Sequence, residues 1–169
     1  MPGFSLSNLM ANNRDYSRGY TFYLYVNSPA GIVGTEEMGY LTKSTSLPAT
    51  TLDTATANWQ GNVYKVGTTQ TFSDWSVTVM CDPSDMIRKD FIEWVRIAHD
   101  PETNHHGTPN AYMRDQNIEH ISHYDGSPIM RYKLLKAFPT SVGEISLDYG
   151  SKDLASFNVT FAYQYFQSA

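Results

Sequence analysis

Apolar and polar positions alternate most clearly over residues 72–80, where Trp75, Val77 and Val79 share one side and Ser76 and Thr78 the other. A period of two marks a strand with one face buried. Directly afterwards the period changes. Ile87, Phe91, Trp94, Val95 and Ala98 recur at helical spacing, with Arg88, Lys89, Asp90, Glu93 and Arg96 largely elsewhere. This predicts an amphipathic helix over about residues 83–99. Asp82 stands where an N-cap belongs, Pro83 suits the first turn, and Asp100-Pro101 ends the helix.

The rest of the chain reads as short strands joined by turns. Residues 20–26 are β-branched and aromatic, and predict a strand. Residues 38–47 predict a second, stopped by Leu47-Pro48. Residues 50–57 are polar and rich in Thr and Ala and read as loop, whereas 62–66 read as a short strand. Residues 117–124 and 129–138 predict two strands around the turn Asp125-Gly126-Ser127-Pro128. Residues 102–113 read as loop, 139–143 as a connector and 144–149 as a strand. In the last strand Phe157, Val159, Phe161, Tyr163 and Tyr165 alternate with Asn158, Thr160, Ala162 and Gln164. Near the start, Ser7 is a candidate cap for a short helix over residues 8–13, weakened by the Asn residues there. The sum is a mainly β fold, an antiparallel β-sandwich or barrel with one flanking amphipathic helix, in one domain over residues 1–169.

Composition narrows what such a fold can do. Hydrophobic residues make up 41% and aromatics 14% of the 169 residues, which excludes a disordered tail. Twelve Lys and Arg against 17 Asp and Glu give a net charge of −5. That balance argues against a basic face that grips phosphates. No apolar run is long enough for a membrane helix. The opening Met1-Pro2-Gly3-Phe4-Ser5-Leu6-Ser7-Asn8 lacks the basic and apolar regions of a secretory signal. Cys81 is the one cysteine, so no internal disulfide and no Cys-based zinc cluster can form. These features predict folding in a reducing cytoplasm, where the sequon Asn158-Val159-Thr160 is a chance match.

Candidate chemistry is thin. Glycine-rich nucleotide loops and a Gly-x-Ser-x-Gly elbow are missing from the sequence. His105 and His106 sit in a polar loop, and His120 and His123, three apart on a strand, are expected to point to opposite faces. His99 suits a helix C-terminus. Cys81, ahead of a capped helix, is either an activated thiol or a small half-buried residue, and the second is the simpler reading. No metal, cofactor or catalytic residue is expected. Trp75 and Trp94 fall on core stripes, but Trp59 lies in a polar stretch and is expected to be exposed, at a subunit contact or on a sugar-binding platform. Residues 20–29 and 154–169 are uncharged. Monomers usually blunt strand edges with charge, so these strands are expected to pair with neighbours.

The segment Phe72-Ser73-Asp74-Trp75-Ser76-Val77-Thr78-Val79, followed by Asp82 and the helix, resembles the tail tube proteins of contractile-tailed bacteriophages. Leu47-Pro48-Ala49, Phe91-Ile92-Glu93-Trp94, the run from Phe138-Pro139-Thr140-Ser141-Val142-Gly143-Glu144 to Asp148, and the closing strand extend the likeness from about Tyr20 to Phe166. Residues 50–66, the loop 102–113 and Cys81, which stands where Asn is often found, depart from it. The resemblance implies a non-enzymatic protein of the virion, assembled in the host cytoplasm. Six-membered rings stack into an inner tube that DNA passes through. The implied partners are other copies of the chain, a tail sheath protein, baseplate tube-initiating proteins, and a tape measure protein and genomic DNA in the lumen, with no membrane insertion. On this view Glu119, Glu144 and Asp148, on the late strands, are candidates for lumen-facing charge. Thr54, Trp59 and Tyr64 are candidate inter-subunit contacts, and residues 1–19 and 50–70 are expected to meet the next ring. The inner tube of a tailocin, an extracellular injection system or a type VI secretion apparatus would share this architecture. A carbohydrate-binding β-sandwich is the more remote alternative.

Overall fold

The computed structural model describes residues 17–168, so the cap at Ser7 and the contacts expected of residues 1–16 lie outside it. Eleven strands appear among the described residues: β1 (Phe22–Tyr25), β2 (Thr42–Thr45), β3 (Thr50–Trp59), β4 (Asn62–Phe72), β5 (Trp75–Met80), β6 (His99–Asp100), β7 (His105–His106), β8 (Arg114–Ile121), β9 (Pro128–Val142), β10 (Ser156–Ala162) and β11 (Tyr165–Ser168). Three helices accompany them: α1 (Thr35–Tyr40), α2 (Met86–Ala98) and α3 (Pro109–Tyr112).

The main sheet runs β1-β8-β9-β10-β5-β2, all antiparallel, with β11 also on β9. It folds at a corner inside the long β9. The first part of β9 pairs with β8 on one side and with β11 on the other, and residues 138–142 pair with β10. Between the two parts Lys136 takes a left-handed conformation (φ 55°), and its N–H donates to Asp115 Oδ1 at 3.1 Å. The last strand turns at the same level, because Tyr163 and Gln164 separate β10 from β11. Residues on two differently aimed halves thus face one interior.

That interior takes Leu24, Ile118 and Leu134 from one half and Trp75, Val77, Val79, Phe157, Val159 and Phe161 from the other, all buried. Helix α2 closes it with Ile87, Phe91 and Trp94. The rings meet at angles aromatic pairs favour: Trp75 lies 4.9 Å from Phe161, and Trp94 meets Phe161 edge-on at 5.8 Å. Both indoles find acceptors. Trp75 Nε1 donates to Thr45 Oγ1 at 2.8 Å and Trp94 Nε1 to the Tyr112 carbonyl at 2.6 Å.

Helix α2 starts three residues later than the spacing predicts. Residues 82–85 form a turn, with the Asp85 N–H donating to the Asp82 carbonyl at 3.1 Å and Asp85 left-handed at φ 54°. Asp82 still does the capping chemistry, because its carboxylate accepts from Met86 N at 3.2 Å and from Ile87 N at 3.3 Å. Partial burial opposes ionisation here, but hydrogen bonds from Ser84, Met86 and Ile87 outweigh it and hold the carboxyl below its ordinary range. Asp90, expected on the polar side, is buried instead. It accepts from the Ser28 hydroxyl and, at 2.8 Å each, from Ile32 N and Val33 N, so it serves backbone donors of the loop after β1.

Other elements depart from expectation. Residues 38–47 split into the end of α1 and β2. Glu36 and Glu37 suit a helix N-terminus, Met38 is buried, and Gly39 lets α1 lie on β1, since a Cβ there would meet the Leu24 carbonyl oxygen at 2.3 Å. Residues 50–57 are strand, not loop, and residues 139–142 continue β9 rather than connecting. Residues 144–149 form no strand; they belong to the loop between β9 and β10. Residues 102–113 include β7 and α3.

Replacing Asp82 with Ala should cost about 1 kcal/mol at neutral pH. The folded pKa lies below the ordinary one, so this contribution is complete above the ordinary carboxylate range and fades as pH falls through the lowered value. Urea unfolding of both proteins at several pH values should show the gap closing on the acid side. Asp90→Ala strands two backbone donors and should cost roughly 3 kcal/mol in the same measurement.

Candidate assembly surface

Strands β3 and β4 form a sheet of their own and pair with no other strand among the described residues. They continue the β2–β5 pair outward past Ala49 and Ser73, where the Ser73 N–H donates to the Ala49 carbonyl at 3.3 Å. The turn is Gln60-Gly61, with φ 47° and 84°. Two successive residues with positive φ match the twist of a tight hairpin. Thr-rich β3 is strand because β-branched side chains fit a pleated ribbon. It escaped the sequence pattern because all ten of its residues are exposed, so no face is marked by burial.

The ribbon nevertheless has two unlike faces. Residues opposite one another in the register share a face. Trp59 opposes Asn62, Ala57 opposes Tyr64 and Ala55 opposes Val66. One face therefore carries Ala55, Ala57, Trp59, Tyr64 and Val66, with Trp59 74% and Tyr64 68% exposed. The other carries Thr54, Thr56, Lys65 and Asn58 beside Val63. Of the three expected contact residues, Trp59 and Tyr64 lie together on the apolar face and Thr54 lies on the polar one.

Among the described residues, strands β1 and β11 each pair on one side only, with β8 and with β9. Both are uncharged, as are the runs that contain them. Their free backbone groups are open to pairing. The three carboxylates expected to face a lumen do not gather. Glu119 is on β8, where Arg131 Nε donates to its Oε1 at 2.9 Å. Glu144 and Asp148 are on the β9–β10 loop, not on a strand.

The histidines and the cysteine are also placed. His120 has a ring nitrogen 3.1 Å from Ser17 Oγ, and His123, beyond the end of β8, meets the Tyr20 ring edge-on at 6.2 Å. His99 and His106 stack at 4.4 Å across the β6–β7 ladder. Among the described residues no three His, Cys, Asp or Glu side chains gather to hold a metal ion. The Cys81 thiol is pushed above its ordinary pKa, first by partial burial and then by Asp85 and Asp82. The helix start therefore does not activate it.

Known proteins are similar to this chain in sequence and fold. A family model described as phage tail tube protein matches residues 14–169. Tail tube protein gp19 of Enterobacteria phage T4 is 28% identical over 127 residues, covering 74% of this chain and 78% of that protein. A chain from the sheath/tube terminator of an extracellular contractile injection system, PVC, superposes with a TM-score of 0.71 at 18% identity, covering 93% of this chain and 99% of that one. A chain from the PVC sheath-tube complex gives 0.68 at 19% identity, covering 99% of both.

Replacing Trp59 and Tyr64 with Glu should leave the body intact, since both side chains are exposed. Monomer stability should change by no more than about 0.5 kcal/mol in urea unfolding. Sedimentation should show self-association weakened at least tenfold. Deleting residues 54–58 should shorten or abolish assembled rods in electron micrographs.

Proposed function

The chain belongs to the phage tail tube protein family, and from that membership we propose that it builds the inner tail tube of a contractile phage tail. Copies close into six-membered rings, the rings stack, and DNA is delivered through the bore. The role is structural and no catalysis is assigned to it. The observation that carries this reading is the β3–β4 arm, which has an apolar face that nothing among the described residues covers. Two-stranded ribbons are marginal alone in water, so a neighbouring copy is the natural cover.

The open edges suit ring closure. Joining β1 of one copy to β11 of the next would continue the β1-β8-β9-β11 half of the sheet around the ring. Four strands from each of six copies give a wall of about 24, wide enough for an open bore. Such contacts are heterologous and closing, whereas ring-on-ring contacts are heterologous and open, and grow a filament. Glu119 stands on this half of the sheet and is the carboxylate best placed for the bore. Glu144 and Asp148, on the loop, would reach it only where two rings meet. A net charge of −5 suits a conduit that must not hold phosphates.

The partners this role calls for are a surrounding sheath protein, baseplate proteins that start the tube, and a tape measure protein and DNA inside it. Its place is the virion, after assembly in the host cytoplasm. The tube of an extracellular injection system is the second reading, favoured by the fold shared with the two PVC chains. The genes beside this one separate the two.

Negative-stain microscopy of the purified protein tests the shared core of both readings. Six-fold rings or hollow rods are expected, and a protein that stays monomeric at every concentration would refute it.

A further inference from the structure

The β1-β8-β9-β11 half of the sheet turns one face to the core, where Leu24, Ile118 and Leu134 are buried. Side chains alternate along a strand, and residues opposite one another share a face. The outer face can therefore be read across the strands. Tyr23 opposes Glu119, which opposes Arg131. In the next row Tyr25 opposes Asn117, and Lys133 stands between Asn117 and Gln167. Among the described residues, the charged side chains of this face are Asp115 and Glu119 on β8 and Arg131 and Lys133 on β9, with Lys136 at its margin on the corner. Each cation of the face is held by an acid. Arg131 Nε donates to Glu119 Oε1 at 2.9 Å straight across the ladder, and Lys133 Nζ lies 3.0 Å from Asp115 Oδ2 on the diagonal. The four charges sum to zero, although the chain carries −5.

We infer that Glu119 and Asp115 act as masks: each occupies a cation of β9, so that a polyanion slides along this face without a phosphate settling on Arg131 or Lys133. The inference rests on the ring-and-tube reading and gives the bore its chemistry. If the half-sheet closes a ring, the body and α2 need the longer outer circumference, which leaves the uncovered face for the inside. Three observations support the masks. Arg131 and Lys133 are two apart on one strand face, so unmasked they would form a cationic pair repeated in every copy, and a polyanion that displaces counterions from such a ring adheres to it. Each acid lies within hydrogen-bond reach of its cation, so the pair presents a dipole whose field fades faster than that of a bare charge. The edge strands add Tyr23, Tyr25 and Gln167 and no charge, so joining copies edge to edge leaves each pair balanced. The acidic excess of the chain lies off this face, and pairing rather than net charge keeps phosphates from holding there.

Oligonucleotide binding by the variant Asp115→Asn with Glu119→Gln tests this. Both replacements keep an oxygen that can accept from Lys136 N and Arg131 Nε, so the variant should melt as the unmodified protein does. A short fluorescent single-stranded DNA is added to free protein and to assembled rods, and binding is read by anisotropy and by cosedimentation. At about 50 mM salt the variant should bind at least about tenfold more tightly than the unmodified protein, and the gain should fade by about 200 mM. Adding Arg131→Gln and Lys133→Gln should return binding to the unmodified level. Binding no tighter than that of the unmodified protein, or a gain that survives the two added changes, would overturn the masks. A gain in the free variant that its rods do not share would place this face away from the bore, which overturns the inference and leaves ring and rod formation untouched. If the unmodified protein forms neither rings nor rods, the tube reading falls and the inference with it.

Discussion

A ribbon with an apolar face and no partner among the described residues constrains everything else in this molecule. The β3–β4 pair makes its own hydrogen bonds along its length but buries almost nothing. Backbone pairing alone does not repay the conformational entropy of ordering that many residues. The deficit is met when Ala55, Ala57, Trp59, Tyr64 and Val66 are covered. On the proposed reading the chain divides into a body stabilised by its own core and an arm whose stability would come from the assembly. Obligate assemblies behave this way, with part of the folding free energy supplied by contacts between copies.

The body is built to hold that arm at a fixed angle. The corner at Lys136 and the matching break at Tyr163 and Gln164 turn two strands together, which lets one continuous sheet wrap a core. Trp75 anchors the arm's base, because its ring is buried against Phe161 while its indole N–H ties it to Thr45 and Ser46. Helix α2 then locks the opposite side, with Asp82 capping its start and Asp90 gathering the loop after β1. The arm's base thus adjoins the buried core at Trp75.

What could be read in the sequence follows from burial. The alternation at Trp75, Val77 and Val79 and the stripe at Ile87, Phe91 and Trp94 were legible because one face of each element meets the core. The same holds for Phe157, Val159, Phe161 and Tyr163. Tyr165 broke the pattern, being exposed beyond the bend. Residues 50–57 looked like loop because a ribbon exposed on both faces leaves no burial signal, although Gln60-Gly61 is a legible turn. Ile145, Leu147 and Tyr149 alternate as a strand would, yet no strand among the described residues pairs with them. Asp90 was assigned to solvent because the backbone donors it serves come from residues about sixty positions away. Of the candidate surface, Trp59 was legible as an exposed aromatic in a polar stretch, and Tyr64 lies beside it on the same face.

Because the β3–β4 arm leaves the N-terminal end of β5 and the β9–β10 loop lies at its C-terminal end, a stack of the proposed kind would be directional. Its two tips would be chemically unlike: one presents bare ribbons, the other the β9–β10 loops. Elongation can proceed by a single kind of docking event, but a first layer needs a template of different composition. Arrest likewise needs a lid shaped for whichever tip is growing.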